Sequence, residues 1–353
     1  MSDAVRVGVI GTGRMGALHV TTYQRMENVR LVAVADPAPA ARTRALRGAT
    51  GVHSYDDWRE LLEREASSLD AVSVACPSSL HAEVALAALE HGLHVLVEKP
   101  IATTLPDALR MRAAARDAGR KLMVGHVERF NPAVTKLREL VRAGRLGYIF
   151  RIQATRVGPS PFGAPDTGVV LDLASHDLDV MQHVLGQDIT QVIATGGSFQ
   201  HGAHEDLVTC LLRFADGALG LLDANWVNPE KQREVVLLGS AGSLRANYIT
   251  QDVWFVESSS GKTPGWEELA FMRGEGEGAA TRFGLHKVEP IRAELDAFVD
   301  CIVNDTVEPI GAHDGARALA AALAIRESLR SGRAVRLLEM PQPQTARSLA
   351  SLT

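Results

Sequence analysis

Val5-Arg6-Val7-Gly8-Val9-Ile10-Gly11-Thr12-Gly13-Arg14-Met15-Gly16 is the stretch that decides how the rest of the chain is read. Residues 5–10 are apolar on both faces, which is how a strand covered on both sides of a parallel sheet reads. The three glycines follow at G-x-G-x-x-G spacing, and a helical pattern opens at once. In that setting Gly11 permits a tight turn, Gly13 lets backbone approach a pyrophosphate, and Gly16 lets the helix pack closely on the strand. Thr12, Arg14 and Met15 complete the loop, and the helix N-terminus offers unpaired amides to an anion. A second apolar run, residues 31–35, ends in Asp36, 20 residues after Gly16. A carboxylate there accepts hydrogen bonds from a ribose diol and repels a 2′-phosphate. The stretch therefore predicts NAD in preference to NADP. Arg42 and Arg44 just beyond read as solvated helix positions.

Working outward, further short apolar runs lie at residues 71–75, 94–97 and 122–124, separated by Ala- and Leu-rich helical segments at 79–91 and 105–118. Gly92 and Gly119 stand where those helices should stop. Alternation at this spacing implies a doubly wound α/β domain over residues 1–125. The rhythm then changes. Helices are expected over 132–142 and 170–185, and strands over 148–155, 191–195, 206–214, 218–226, 234–238, 243–248 and 253–256. Compact turns such as Ala215-Asp216-Gly217 join several of these strands. Strands in succession imply a mostly antiparallel sheet, so residues 126–338 read as an α+β domain for substrate binding and oligomerisation. Residues 158–168 and 261–284 read as loops, helices are expected at 291–303 and 314–330, and 339–353 reads as a disordered tail.

Composition sets the outer bounds. The 353 residues are 46% hydrophobic and 22% charged, with a net charge of −5, which excludes a disordered chain and gives no reason to approach a polyanion. Apolar runs fall short of the ~20 residues that a membrane helix needs. No signal peptide is expected ahead of the first strand. Cys76, Cys210 and Cys301 show no paired spacing, as in a reducing compartment. These features predict a soluble, cytoplasmic protein without nucleic-acid or membrane partners.

Four more segments carry a resemblance. Cys76-Pro77-Ser78-Ser79-Leu80-His81 resembles a Thr-Pro-Thr-x-x-His turn, and Glu98-Lys99-Pro100 is identical to a Glu-Lys-Pro signature. Residues 125–132, Gly-His-Val-Glu-Arg-Phe-Asn-Pro, are similar to a domain-junction segment, and Asp172-Leu173-Ala174-Ser175-His176 matches Asp-x-x-x-His. Together with the glycine loop they resemble the Gfo/Idh/MocA dehydrogenases, named after glucose–fructose oxidoreductase and inositol dehydrogenase. The likeness runs from Val5 to about Val335. The sequence departs from the pattern at Cys76, where Thr is usual, and in having only Gly168 as a glycine before Asp172. The resemblance implies an N-terminal Rossmann domain, NAD, acid–base roles shared by Lys99 and His176, and assistance from Asp172. It also implies a homodimer or homotetramer formed through the second domain's sheet.

The residues support the same chemistry. Oxidising a secondary alcohol needs a base or relay near neutral pH and a group that polarises the forming ketone. Lys99 ends a predicted parallel strand, where such sheets bind ligands. Asp172 and His176 are four apart and share one face of a helix. A histidine there can take or pass a hydroxyl proton, and the aspartate can orient it or hold a substrate hydroxyl. Cys76, Pro77, His81 and Glu98 are expected around the cofactor, with packing as the simpler role for Cys76, capping or packing as the alternative for His81, and Glu98 orienting its neighbours rather than performing chemistry. Arg129, Asn131, Asn225 and Trp226 are candidates for substrate contact. Capping by Asn131 and core packing by Trp226 are the competing roles. Asp179 and His183 extend the helical pattern, yet their spacing is poor for chelation and no metal is assigned. The expected reaction is NAD-dependent oxidation of a ring hydroxyl on a sugar, nucleotide sugar or cyclitol. Arg129 to Pro132 and Val288-Glu289-Pro290-Ile291 resemble family members that oxidise nucleotide-linked amino sugars at a ring hydroxyl, and this resemblance implies a UDP-N-acetylglucosamine-type 3-dehydrogenase. The alternatives are an NAD-dependent glycosidase that works through transient oxidation, and a non-catalytic NAD-binding sensor.

Overall fold

Strand β1 (Val5–Ile10) is flanked on both sides by parallel neighbours, as its two apolar faces require. The computed structural model of the chain describes residues 4–160, 167–200, 202, 204–258, 278–338 and 340. The first sheet also contains β2 (Val29–Ala35), β3 (His53–Tyr55), β4 (Ala71–Val74), β5 (His94–Glu98) and β6 (Leu122–Gly125), in the order β3-β2-β1-β4-β5-β6. All its pairings are parallel. The strand order reverses between β1 and β4, which is where doubly wound sheets open a ligand crevice at the carboxyl ends of the strands.

The connecting helices are α1 (Arg14–Tyr23), α2 (Pro39–Ala45), α3 (Trp58–Glu65), α4 (His81–Glu90) and α5 (Leu105–Ala118). Helix α5 has the bounds expected from sequence, and both ends have a physical cause. Thr104 Oγ1 accepts the Asp107 N–H at 3.3 Å, and Gly119 takes the left-handed conformation at φ 62° that ends the helix. The segment expected as one helix from residue 79 opens instead with a 3-10 turn, Ser78–Leu80, before α4.

The second sheet has nine strands in the order β14-β13-β12-β11-β7-β10-β9-β8-β15. They are β7 (Ile149–Pro159), β8 (Ile189–Gly197), β9 (Leu207–Phe214), β10 (Leu219–Asn225), β11 (Val227–Gly239), β12 (Gly242–Asn247), β13 (Asp252–Glu257), β14 (Ala280–Phe283) and β15 (Val335–Arg336). Every pairing is antiparallel except β10 with β7. Helices α6 (Pro132–Arg142) and α7 (Ser175–Leu185) pack on one face of this sheet. That face presents buried Ile152, Ala154, Leu212, Leu222, Val235, Leu244 and Phe255. Helices α8 (Pro290–Val303) and α9 (Ala312–Ser331) follow.

Three expectations are corrected. The excursion at 261–284 ends in β14, which pairs with β13 from Val253↔Phe283 to Val256↔Ala280. The loop at 158–168 gives up Gly158 and Pro159 to β7. The helix expected from residue 170 begins as a π-helical turn, Val170–Ala174. Residues 161–166, most of the 261–284 excursion and nearly all of the 339–353 tail lie outside the described residues.

Two compact units emerge, 1–125 with 297–320 and 337–353, and 126–296 with 321–336. A cut at residue 125 is thus present, but α8 and α9 are each divided between the units. In the first unit, Gly315 on α9 would place a Cβ 2.9 Å from Val124 Cγ2, and Val124 N–H donates to Ile310 O at 3.0 Å. In the second, Ser328 Oγ accepts the Ala194 N–H at 2.9 Å and donates to Arg333 O at 2.7 Å.

Candidate active site

In the first unit the glycine loop has the geometry a dinucleotide requires. Gly11 sits at φ +90°, and a Cβ there would lie 2.5 Å from backbone atoms of Ala75 and Cys76. At Gly16 a Cβ would lie 1.8 Å from Gly11 O, so a side chain would collide with the loop it supports. Gly13 is different. A Cβ there meets nothing within 4 Å, so the glycine keeps a concavity open at the start of α1. That helix has no side-chain cap, Gly13 and Arg14 are exposed, and Met15 is half-buried. Thr12 Oγ1 is buried in the loop with no hydrogen-bond partner. Free amides, an unpaired hydroxyl and an unfilled cradle fit a pyrophosphate.

Asp36 closes the loop from the end of β2. Its Oδ2 accepts the Thr12 N–H at 2.7 Å and its Oδ1 accepts the Ala38 N–H at 2.8 Å. The carboxylate is held in place by these amides and keeps lone pairs for a ribose diol. Arg42 donates to Asp36 O and to Ser54 Oγ, so it braces the backbone around the carboxylate.

Lys99 follows β5 and is half-buried, and Pro77, in the turn after β4, is exposed. Glu98 is buried and accepts the Lys99 N–H at 3.2 Å. Burial acts to raise the Glu98 carboxyl, but the hydrogen bond and charge of His19 and the Lys99 charge outweigh it and hold it below the usual range. His81 is buried, with its ring nitrogens 2.8 Å from Pro100 O and 3.0 Å from Cys76 O. Burial pushes the Cys76 thiol up to about 12, so it stays protonated and chemically quiet near neutral pH.

In the second unit, Asp172 lies in the π-helical turn and His176 in the first turn of α7. Both are half-buried, on a segment whose Val170, Leu171, Ala174, Ser175 and Asp177 are buried. Asp172 N–H donates to Gly168 O at 3.1 Å, and Val169 N–H donates to Glu205 O at 2.8 Å. A Cβ at Gly168 would lie 2.1 Å from the Glu205 carboxyl carbon, so the Glu205 side chain would have to shift to admit one. The single glycine before Asp172 thus gives this turn its close packing. π-helical turns recur where a helix must present a functional side chain.

Two buried ion pairs fix α7, and the sequence did not show them. Arg129 Nε and Nη2 donate to Asp179 at 2.7 and 2.6 Å. Arg156 on β7 donates to Asp177 and reaches Glu128 Oε1 at 2.9 Å. The four expected substrate contacts outside the catalytic set are therefore placed differently. Arg129 is 9% exposed and committed to Asp179. Asn131 is buried, capping α6 by accepting the Ala133 N–H at 3.1 Å and donating to Tyr248 O at 3.0 Å. Asn225 is buried and accepts the Asn228 N–H at 3.0 Å, and Trp226 is 3% exposed in the core. Capping describes Asn131 and core packing describes Trp226, the competing roles named for these two, while Arg129 is held in an ion pair and Asn225 in a turn.

The comparisons with known proteins agree with this geometry. Residues 5–126 match the model of the Gfo/Idh/MocA oxidoreductase family, NAD-binding Rossmann fold, and residues 134–245 match the family's C-terminal domain. The chain belongs to the Gfo/Idh/MocA family. It is an NAD-binding oxidoreductase. The chain is similar to a myo-inositol 2-dehydrogenase of Thermotoga maritima, 28% identical over 95% of this chain and 99% of the relative. It is also similar to the rhizopine catabolism protein MocA of Rhizobium meliloti, 32% identical over 62% of this chain and 70% of the relative. Among solved structures, a UDP-N-acetylglucosamine 3-dehydrogenase from Acidithiobacillus ferrooxidans superposes with a TM-score of 0.80. It is 25% identical, over 93% of this chain and 98% of that one. Among the described residues no helix is long and apolar enough to cross a membrane.

Proposed function

We propose that the chain oxidises a secondary ring hydroxyl of a sugar, nucleotide sugar or cyclitol, with Lys99 and His176 in acid–base roles and Asp172 assisting. The observation that carries this is the intact set of Lys99, Asp172 and His176 on a Gfo/Idh/MocA chain, with Asp172 and His176 left partly exposed beside buried Leu171, Ala174, Ser175 and Asp177. Bound NAD supplies the hydride acceptor. The glycine loop and Asp36 bind and orient the dinucleotide. Lys99 stabilises negative charge as the substrate oxygen loses its proton. His176 takes or passes that proton, and Asp172 orients the imidazole or holds a neighbouring hydroxyl. The half-buried setting of both residues limits their access to water. The substrate class rests on relatives named for inositol and for UDP-N-acetylglucosamine. The outer face of the nine-stranded sheet is the surface through which the chain forms a dimer or tetramer.

The test is absorbance at 340 nm, using nucleotide-free protein, NAD and a panel of cyclitols, sugars and nucleotide sugars. Sustained NADH formation with one class supports the dehydrogenase. NAD binding without NADH accumulation supports the oxidation–elimination glycosidase or the sensor. Lys99→Met should lower turnover by roughly 10²- to 10⁴-fold while NADH still binds in a fluorescence titration. Unchanged turnover would remove Lys99 from the acid–base role.

A further inference from the structure

Three buried polar residues behind the Lys99 turn are not used by the chemistry proposed above. Glu98 Oε2 accepts the Lys99 N–H at 3.2 Å. His19, wholly buried on α1, sits with Nε2 3.0 Å from Glu98 Oε1. His81, 1% exposed at the start of α4, reaches the carbonyl oxygen of Pro100 with Nδ1 and that of Cys76 with Nε2. A carboxylate and two imidazoles are costly to bury, and apolar residues would fill the same space at lower cost. What distinguishes these three is where their other ends lie. Helix α1 starts at the glycine loop, and the Cys76 backbone is what Gly11 presses against.

We propose that His19, Glu98 and His81 are positioning residues that hold Lys99 in register with the dinucleotide loop, so that cofactor binding and placement of the lysine are one mechanical unit. This rests on Lys99 being an acid–base residue. Glu98 fixes the backbone of Lys99 and is itself fixed by α1. His81 ties the next peptide, at Pro100, to the turn after β4. Burial lowers His81 despite the two carbonyls, so the neutral ring donates to one of them and packs against the other.

The experiment compares His19→Phe, His19→Gln, His81→Phe and His81→Gln with the unaltered protein. Three quantities are read: NADH Kd by fluorescence, kcat and KM with saturating NAD and the substrate found in the panel, and the acylation rate of Lys99, with and without saturating NADH, by peptide mass spectrometry. Exposed Lys231 is the internal reference for acylation. The Phe variants should lose on the order of 10- to 100-fold in kcat with KM and NADH Kd within roughly threefold, as misplacement of a reacting group does. NADH should protect Lys99 from acylation in the unaltered protein and protect it less in the Phe variants. The Gln variants, which keep a donor, should recover part of both effects. A kcat within twofold of the unaltered protein, or Gln variants no better than Phe variants, overturns the proposal. So does a loss of kcat matched by equal losses of NADH affinity and thermal stability, which is the behaviour of a merely structural residue. The acylation comparison needs no turnover, so it decides the brace even if Lys99→Met shows that the acid–base role is wrong.

Discussion

Asp36 carries more than one duty at the scale of a single residue. Its two oxygens hold the Thr12 and Ala38 amides, so it shapes the glycine loop in addition to the ribose contact proposed for it. Replacing it by alanine would mix the two effects. Asp36→Asn keeps one acceptor oxygen and removes the charge. A hydrogen bond to a charged group is worth about 1.5–3 kcal/mol, which corresponds to roughly 10- to 100-fold in affinity. KM for NAD should therefore rise by about that factor, while KM for NADP falls because repulsion of the 2′-phosphate is relieved. Steady-state kinetics with both cofactors checks it, and a variant with unchanged preference would take Asp36 out of cofactor selection.

The nine-stranded sheet is asymmetric at the scale of elements. One face packs on α6 and α7. On the other face the pairing brings Ile193, Leu211 and Leu221 side by side across β8, β9 and β10. The row continues through Gln153, Val236, Arg245 and Trp254. Ile193 is 47% and Leu211 54% exposed, so the apolar end of the row lies open. Such a patch favours self-association. Leu211→Glu should reduce the mass in light scattering to that of one chain while leaving the circular dichroism unchanged. An unchanged mass would place the interface elsewhere. The same strands show what could be read from sequence. The strand-like run 206–214 before the Ala215-Asp216-Gly217 turn gave β9, and the Ala- and Leu-rich run stopped by Gly119 gave α5. Strand β3 escaped because His53-Ser54-Tyr55 is short, polar and mostly exposed at the sheet edge. The π-helical turn at Asp172 has no composition of its own. Arg129 could not be matched to Asp179 because 50 residues separate partners that only tertiary packing joins. Lys99, Asp172 and His176 were legible because their motifs are local, whereas the bracing contacts of His19 and His81 are not.

At the scale of the whole chain, stability in acid is set by groups whose proton affinity changes on folding. Burial lowers His94 to about 4 from 6.5, reinforced by the charges of Arg120 and Lys121. Burial also lowers His81. Both rings are neutral in the folded protein at neutral pH, and the unfolded chain binds their protons more readily. Their contribution is therefore fully present above about pH 6.5 and is lost as the pH falls, for His94 towards 4. The hydrogen bond from Arg6 lowers Asp70, and for Asp179 the Arg129 and His126 charges outweigh burial. These carboxylates contribute above their unfolded values near 4 and lose the contribution only at lower pH. Asp177 works in the opposite sense, since burial raises it despite Arg156. The melting temperature should accordingly decline in two stages, first between pH 6.5 and 4 through the histidines and then below 4 through the carboxylates. His94→Gln can still accept the Lys121 N–H that His94 Nδ1 accepts at 3.0 Å, but it takes up no proton. Differential scanning fluorimetry of this variant should show a shallower first stage and an unchanged second one. A first stage as steep as that of the unaltered protein would mean that the loss between pH 6.5 and 4 arises at other groups, with buried His81 the next to replace.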